Sequence, residues 1–141
     1  MSIIPIKYNF DNEMIIFQYL NGDNVLYKTK KNIFNENSGL TISNPQSEIP
    51  AYLIQMVGYG EHLLCGNVIN NILVTLSQND IDGVILLIDF EGVLEVSQNF
   101  VEAYTKYLLE TKNKVITINQ NYEVSNAFGE YTYSIFDIIN Q

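Results

Sequence analysis

His62 and Cys65 stand three residues apart, a spacing that can bring two ligating side chains together. A zinc site needs three or four such ligands, and the chain has one histidine and one cysteine in all. A nucleophilic Cys–His pair would also need an orienting third group and an oxyanion site. The pair therefore reads as a partly exposed histidine at a helix start and a buried cysteine, and no metal site is expected. Asp89 and Glu91 flank Phe90 at the end of an apolar run. Carboxylates at i and i+2 on a strand share a face, and sites in α/β proteins form at the C-terminal edge of a parallel sheet. Such a pair suits Mg²⁺ or acid–base work, but no lysine and no glycine-rich loop stands nearby to hold a phosphate. Asp89 is expected to accept hydrogen bonds in the turn and Glu91 to be exposed. Gly58-Tyr59-Gly60 lacks the third glycine and the lysine of a phosphate loop and reads as a turn entering a helix. No cofactor is expected.

Charge narrows the partners. Sixteen acids against seven basic residues give a net charge of −9. All seven are lysines; the arginine that dominates bidentate phosphate recognition is missing altogether. Direct nucleic-acid binding is therefore not expected. The acids are unevenly spread: Glu61, Asp80, Asp82, Asp89, Glu91, Glu95 and Glu102 follow one another with no base between them. Such a run reads first as a solvated face and second as a surface for a basic partner.

The 141 residues suffice for one core that needs no disulfide or metal. An apolar fraction of 47% excludes dominant disorder, and no apolar run reaches the roughly 18 residues of a membrane span. One cysteine and an N-terminus, MSIIPIKYNF, without signal-peptide features lead us to expect a cytoplasmic protein. Eighteen asparagines and 19 isoleucines suggest an AT-rich coding sequence, as in many bacteria and their phages.

The elements that must position these groups are legible in the periodicity. Met14–Leu20 and Val25–Lys30 flank Asn21-Gly22-Asp23-Asn24 and predict a β-hairpin. Residues 31–50 read as a loop, with a short strand at Leu40–Ser43. Tyr52–Val57 predicts a strand ended by Gly58. Leu64, Val68, Ile72 and Leu76, widened by Ile69 and Leu73, predict a helix over His62–Gln78. Gly66 inside it marks a close approach to a neighbouring element. Val84–Phe90 is apolar without alternation, as in a strand buried on both faces. A second helix is expected from about Asn99 to Thr111, with Phe100, Tyr104, Tyr107 and Leu108 on one face. Asn99 and Glu102 have the spacing of a capping box, with Ser97 as the competing cap. Lys114–Ile118 completes a βαβ unit. Tyr122–Phe128 suits a short helix; Tyr131–Phe136 is β-rich, while Ser134–Gln141 also suits a helix. The expected fold is a single α/β domain, a mixed sheet with helices mainly on one side, preceded by an N-terminal hairpin. Residues 1–50 form the hairpin and loop extension and 51–141 the α/β body.

The segment from Asp89 to Phe100, DFEGVLEVSQNF, resembles the signature of STAS-like domains, relatives of the sulfate-transporter and anti-sigma-factor-antagonist domain. The matching positions are Asp89, Gly92, Val93, Ser97 and Phe100, and the resemblance covers about residues 52–128. It implies a domain that acts without catalysis, binding a partner kinase and switched by phosphorylation of a serine at the start of the helix. In this chain that position is Gln98, which cannot be phosphorylated; Ser97 matches a residue that caps the turn.

The resulting expectation is a non-enzymatic regulatory or protein-interaction domain. It binds a protein partner through the strand-to-helix edge formed by Glu91, Glu95, Ser97, Gln98, Asn99 and Glu102. The alternative is a small acidic inhibitor from a phage or mobile element, covering the basic nucleic-acid-binding groove of a host protein. A hydrolase or nucleotide-binding enzyme is a third class, for which no complete catalytic set is present.

Overall fold

The computed structural model describes residues 3–11, 14–22, 24–30 and 49–129. In chain order the elements are β1 (Ile3–Asp11), β2 (Met14–Tyr19), β3 (Val25–Lys30), β4 (Ala51–Gln55), a 3₁₀ turn (Met56–Tyr59) and β5 (His62–Leu63). There follow α1 (Asn67–Gln78), β6 (Ile85–Asp89), β7 (Glu95–Val96), α2 (Gln98–Glu110), β8 (Lys114–Ile118) and a last helix, α3, over residues 122–129. Six strands form one curled mixed sheet in the order β3-β2-β1-β4-β6-β8. The N-terminal strands pair antiparallel, and β4, β6 and β8 pair parallel.

Residues 84–90 have no solvent face: every one is at most 7% exposed. A strand of this kind must be covered on both sides. On one side Leu86 and Ile88 pack with Ile54 and Met56 under Ile69, Ile72 and Leu76 of α1 and Phe100, Tyr104 and Tyr107 of α2. On the other, Ile85 and Leu87 join Leu53, Ile116 and Ile118 with Ile6, Ile15 and Phe17 from β1 and β2. The N-terminal strands thus belong to the same sheet and core as the α/β body. The helices α1 and α2 each connect neighbouring parallel strands, and with the usual right-handed crossover both fall on one face. The expected mixed sheet, helices on one side and antiparallel pairing of the two hairpin strands, β2 with β3, are all present.

Three boundaries differ from the sequence expectation. The helix expected over His62–Gln78 begins only at Asn67. Its first residues pair instead with β7, His62 opposite Glu95 and Leu63 opposite Val96, because this strand contact is tertiary and leaves no periodic signal. Leu64, read into the buried stripe, is 56% exposed, and Leu73 at its margin is 40% exposed. Gly66 is the N-cap rather than an interior residue. It does mark a close approach: a Cβ there would lie 3.2 Å from Ala103 Cβ of α2. The second correction concerns α2, which is capped by Ser97 and not by Asn99. The extended backbone of Ser97 lets its hydroxyl accept the Phe100 N–H at 3.1 Å, whereas Asn99 is already in the first turn. Third, the strand expected over Tyr52–Val57 stops at Gln55, and Gly58 and Gly60 lead into β5 rather than a helix. The short helix expected at Tyr122–Phe128 is present. Leu40–Ser43, Tyr131–Phe136 and Ser134–Gln141 lie outside the described residues.

Replacing Leu87, fully buried in β6, by Asp would bury an unpaired charge. We expect loss of more than about 4 kcal/mol and an unfolded chain by circular dichroism; a cooperatively melting variant would contradict the placement of β6. Tyr104 is buried among Phe90, Phe100 and Phe128, with ring centroids 5.4–5.9 Å away. Its hydroxyl meets Thr117 Oγ1 at 2.6 Å. Burial pushes its ionisation well above the usual tyrosine range, and the Thr117 contact only partly offsets this. The neutral form is thus favoured in the fold, so stability is full below about pH 10 and falls as the unfolded chain ionises above it. Thermal melts from pH 8 to 11 should show this alkaline loss, and Tyr104→Phe should reduce its slope at a cost of about 1 kcal/mol at neutral pH.

Candidate functional site

The parallel strands β4, β6 and β8 end on one edge, and the connections that leave them are tied together there. After β6, residues 90–93 form a tight turn closed by Val93 N–H to Phe90 O at 3.0 Å. Gly92 sits in it at φ +87°, and a Cβ there would meet Val57 Cγ2 at 3.0 Å. A non-glycine residue would be strained and would push the 3₁₀ turn away. The two connections then run side by side: Leu94 and Glu95 N–H donate to Glu61 O, and Ser97 N–H donates to Leu63 O at 2.9 Å. The connection after β8 is joined by Asn121, whose side-chain amide donates to Val93 O at 3.0 Å. The Asn121 Oδ1 accepts the Val124 N–H and so caps α3.

Asp89 anchors this arrangement. Its Oδ1 accepts the Glu91 N–H and the Asn119 Nδ2, both at 2.9 Å, and the residue is 7% exposed. Asn119 reaches it from a left-handed backbone, φ 60°, a conformation asparagine tolerates better than most residues. The carboxylate is therefore a structural acceptor, as expected for the turn, and Glu91 is exposed. The two do not form a paired acid site.

The residues expected to make up the partner surface fall on this edge. Glu91, Glu95, Gln98, Asn99 and Glu102 are exposed; Ser97 is half-buried and its hydroxyl is committed to the cap. Sequence reasoning missed their neighbours. His62, read as a cap-region residue, lies on β5 and its Nδ1 is 2.7 Å from Glu95 Oε1. Both side chains are about half exposed, so this pair adds little stability. Val57, Leu64 and Leu94, at 39%, 56% and 49% exposure, stand on the same two connections that carry Glu61, Glu91 and Glu95. Only the break in the helical pattern at Gly66 hinted that Leu64 would be released. Cys65 is exposed rather than buried, and its Sγ lies 3.5 Å from the Asn67 N–H. The turn at β5 swings it outward, away from the stripe it would occupy in a helix.

Among the described residues no three His, Cys, Asp or Glu side chains gather as a metal would require. None of the described helices is long and apolar enough to cross a membrane. Compared with known protein families, curated proteins and solved structures, the chain matches none.

If Asp89 serves as an acceptor and not as a charge, Asp89→Asn should keep both hydrogen bonds and melt within about 1 kcal/mol of the parent. Asp89→Ala should lose about 1–3 kcal/mol by stranding the Glu91 N–H and the Asn119 amide. Denaturant titration distinguishes the two; equal losses would refute the acceptor role.

Proposed function

We propose that the chain is a non-enzymatic protein-interaction domain of STAS-like type that binds a protein partner through the edge around Ser97. The observation that carries this reading is the pairing of β5 with β7. It ties together two connections that expose Val57, Leu64 and Leu94 and also carry Glu61, Glu91 and Glu95. Exposed apolar side chains and acids carried on a pre-formed backbone suit protein recognition, since little ordering remains to be done on binding. The absence of a catalytic reading follows the same residues: Asp89 is occupied by two hydrogen bonds, and Glu91 faces solvent in the turn.

The order of elements also supports the STAS-like reading, with a buried strand, a Gly92-Val93 turn and a serine-capped helix in succession. Gln98, at the position of that family's phosphoacceptor, is the exposed first residue of α2. Recognition at this edge is accordingly not switched by phosphorylation of that position. We place the domain in the cytoplasm, where its exposed thiol would stay reduced.

The acidic-inhibitor alternative draws less from the geometry, because the acidic run does not form one face. Asp89 is buried. Asp80 and Asp82 precede β6 while Glu91 and Glu95 follow it, so a strand of roughly 16 Å separates them.

The test uses the full chain as bait in extract of its native host, beside a Glu91→Lys, Glu95→Lys double variant. Both substitutions are on exposed side chains and should change stability by no more than about 0.5 kcal/mol each. A partner retained by the parent and lost by the double variant, with equal melting of the two, supports the proposal. Retention of the same partners by both would refute it.

A further inference from the structure

The connection from β2 to β3 holds Asn21-Gly22, the one Asn-Gly step among the 18 asparagines of the chain. The ladder between the two strands ends with Gln18 opposite Val25, so the turn lies beyond it. Tyr19, Leu20 and Val25 around it are all exposed. The Asn21 side chain is exposed too and, among the described residues, hydrogen-bonded to nothing. One backbone bond closes the turn, from the Gly22 N–H to Tyr19 O at 3.2 Å. Backbone conformation does not demand the glycine. Its φ lies outside the left-handed region, and a Cβ there would stand 3.6 Å from Tyr19 Cβ, an ordinary contact.

We infer that Asn21 is a site of spontaneous covalent modification, converted to aspartate and isoaspartate with water as the co-reactant. The Gly22 nitrogen, giving up its proton to solvent, attacks Asn21 Cγ. The new N–Cγ bond closes a five-membered imide as the Cγ–Nδ2 bond breaks and ammonia leaves. Water then opens the ring. Cleavage at Cγ yields aspartate; cleavage at the main-chain carbonyl yields isoaspartate, whose backbone runs through Cβ and Cγ. Gly22 favours the first step because it has no Cβ to crowd the approach of its nitrogen. The bond from Gly22 to Tyr19 must open for the attack, and at a loop tip such opening needs little free energy. The fold sets the other described asparagines apart. Asn67, Asn70, Asn71, Asn99 and Asn126 lie in helices, whose fixed backbone holds the following nitrogen away from Cγ. Asn9 lies in the β1 ladder opposite Ile16. Asn79, Asn113, Asn119 and Asn121 are tied by side-chain hydrogen bonds. Asn24 precedes Val25, whose branched Cβ shields its nitrogen. Either product adds one negative charge to a chain at −9. Isoaspartate also lengthens the main chain by one carbon, in a connection that the strand pairing does not use.

The folded full chain should be incubated at mildly alkaline pH and sampled over days. Peptide mapping by mass spectrometry and enzymatic methylation of isoaspartate follow the conversion, and circular dichroism follows the fold. Asn21 is expected to convert ahead of every other described asparagine. It should do so at least about tenfold faster than in Gly22→Ala, a barrier difference of about 1.4 kcal/mol. Gly22→Ala should melt like the parent, because the turn accommodates a Cβ. Asn21→Gln, on an exposed side chain, cannot close the five-membered ring and should abolish the isoaspartate signal at this position while also melting like the parent. The aged parent should yield a more acidic species on ion exchange and keep its cooperative melt. Conversion led by another described asparagine refutes the inference. So does an Asn21 that converts only in the urea-unfolded chain, or a Gly22→Ala variant that converts as fast as the parent.

Discussion

The burial of residues 84–90 on both sides is the constraint from which the rest of the architecture follows. A strand with no solvent face requires two layers, and the chain supplies them from different parts of its length. The helices of the two crossover units cover Leu86 and Ile88, while the curl of the N-terminal strands brings Ile6, Ile15 and Phe17 over Ile85 and Leu87. The hairpin is therefore half of the enclosure of the central strand and cannot be regarded as a separate appendage. The same strand delivers Asp89 and Phe90 to the edge where the connections meet.

That edge is held by short-range polar bonds rather than by a second core. Asp89, Asn121 and Ser97 each satisfy backbone or amide groups that would otherwise be stranded where the strands end, and the Asn119 amide donates to Asp89. Beneath them Phe90, Phe100, Tyr104 and Phe128 form an aromatic cluster that links β6, α2 and α3. A backbone fixed from below by aromatic packing and from within by amide bonds can present Val57, Leu64 and Leu94 to solvent without collapsing onto them. This rigidity is what makes the exposed apolar groups a recognition surface under our proposal.

Charge is unevenly distributed along the chain. Of the acids that follow one another in sequence, Asp80 and Asp82 are separated from Glu91 and Glu95 by β6, and the uncharged α1 lies between Glu61 and Asp80.

Much of this was written locally. The lack of alternation in Val84–Phe90, the turn residues of the hairpin and the spacing of Phe100, Tyr104 and Tyr107 each report a pattern of burial that neighbouring residues share, and all were legible. The acceptor role of Asp89 and the exposure of Glu91 followed from their place after a strand. What the sequence could not disclose were the contacts made between segments distant in the chain. The pairing of His62–Leu63 with Glu95–Val96 shortened α1, turned Leu64 and Cys65 outward and joined His62 to Glu95. It depends on where two connections end up in space, and a two-residue strand has no periodicity to announce it. The cap of α2 was likewise decided by backbone conformation, extended at Ser97 and helical at Asn99, between two residue types that cap almost equally well. Local pattern determined most of the strands and helices, though not β1, β5 or β7; the meeting of their ends determined which side chains stand exposed at the edge.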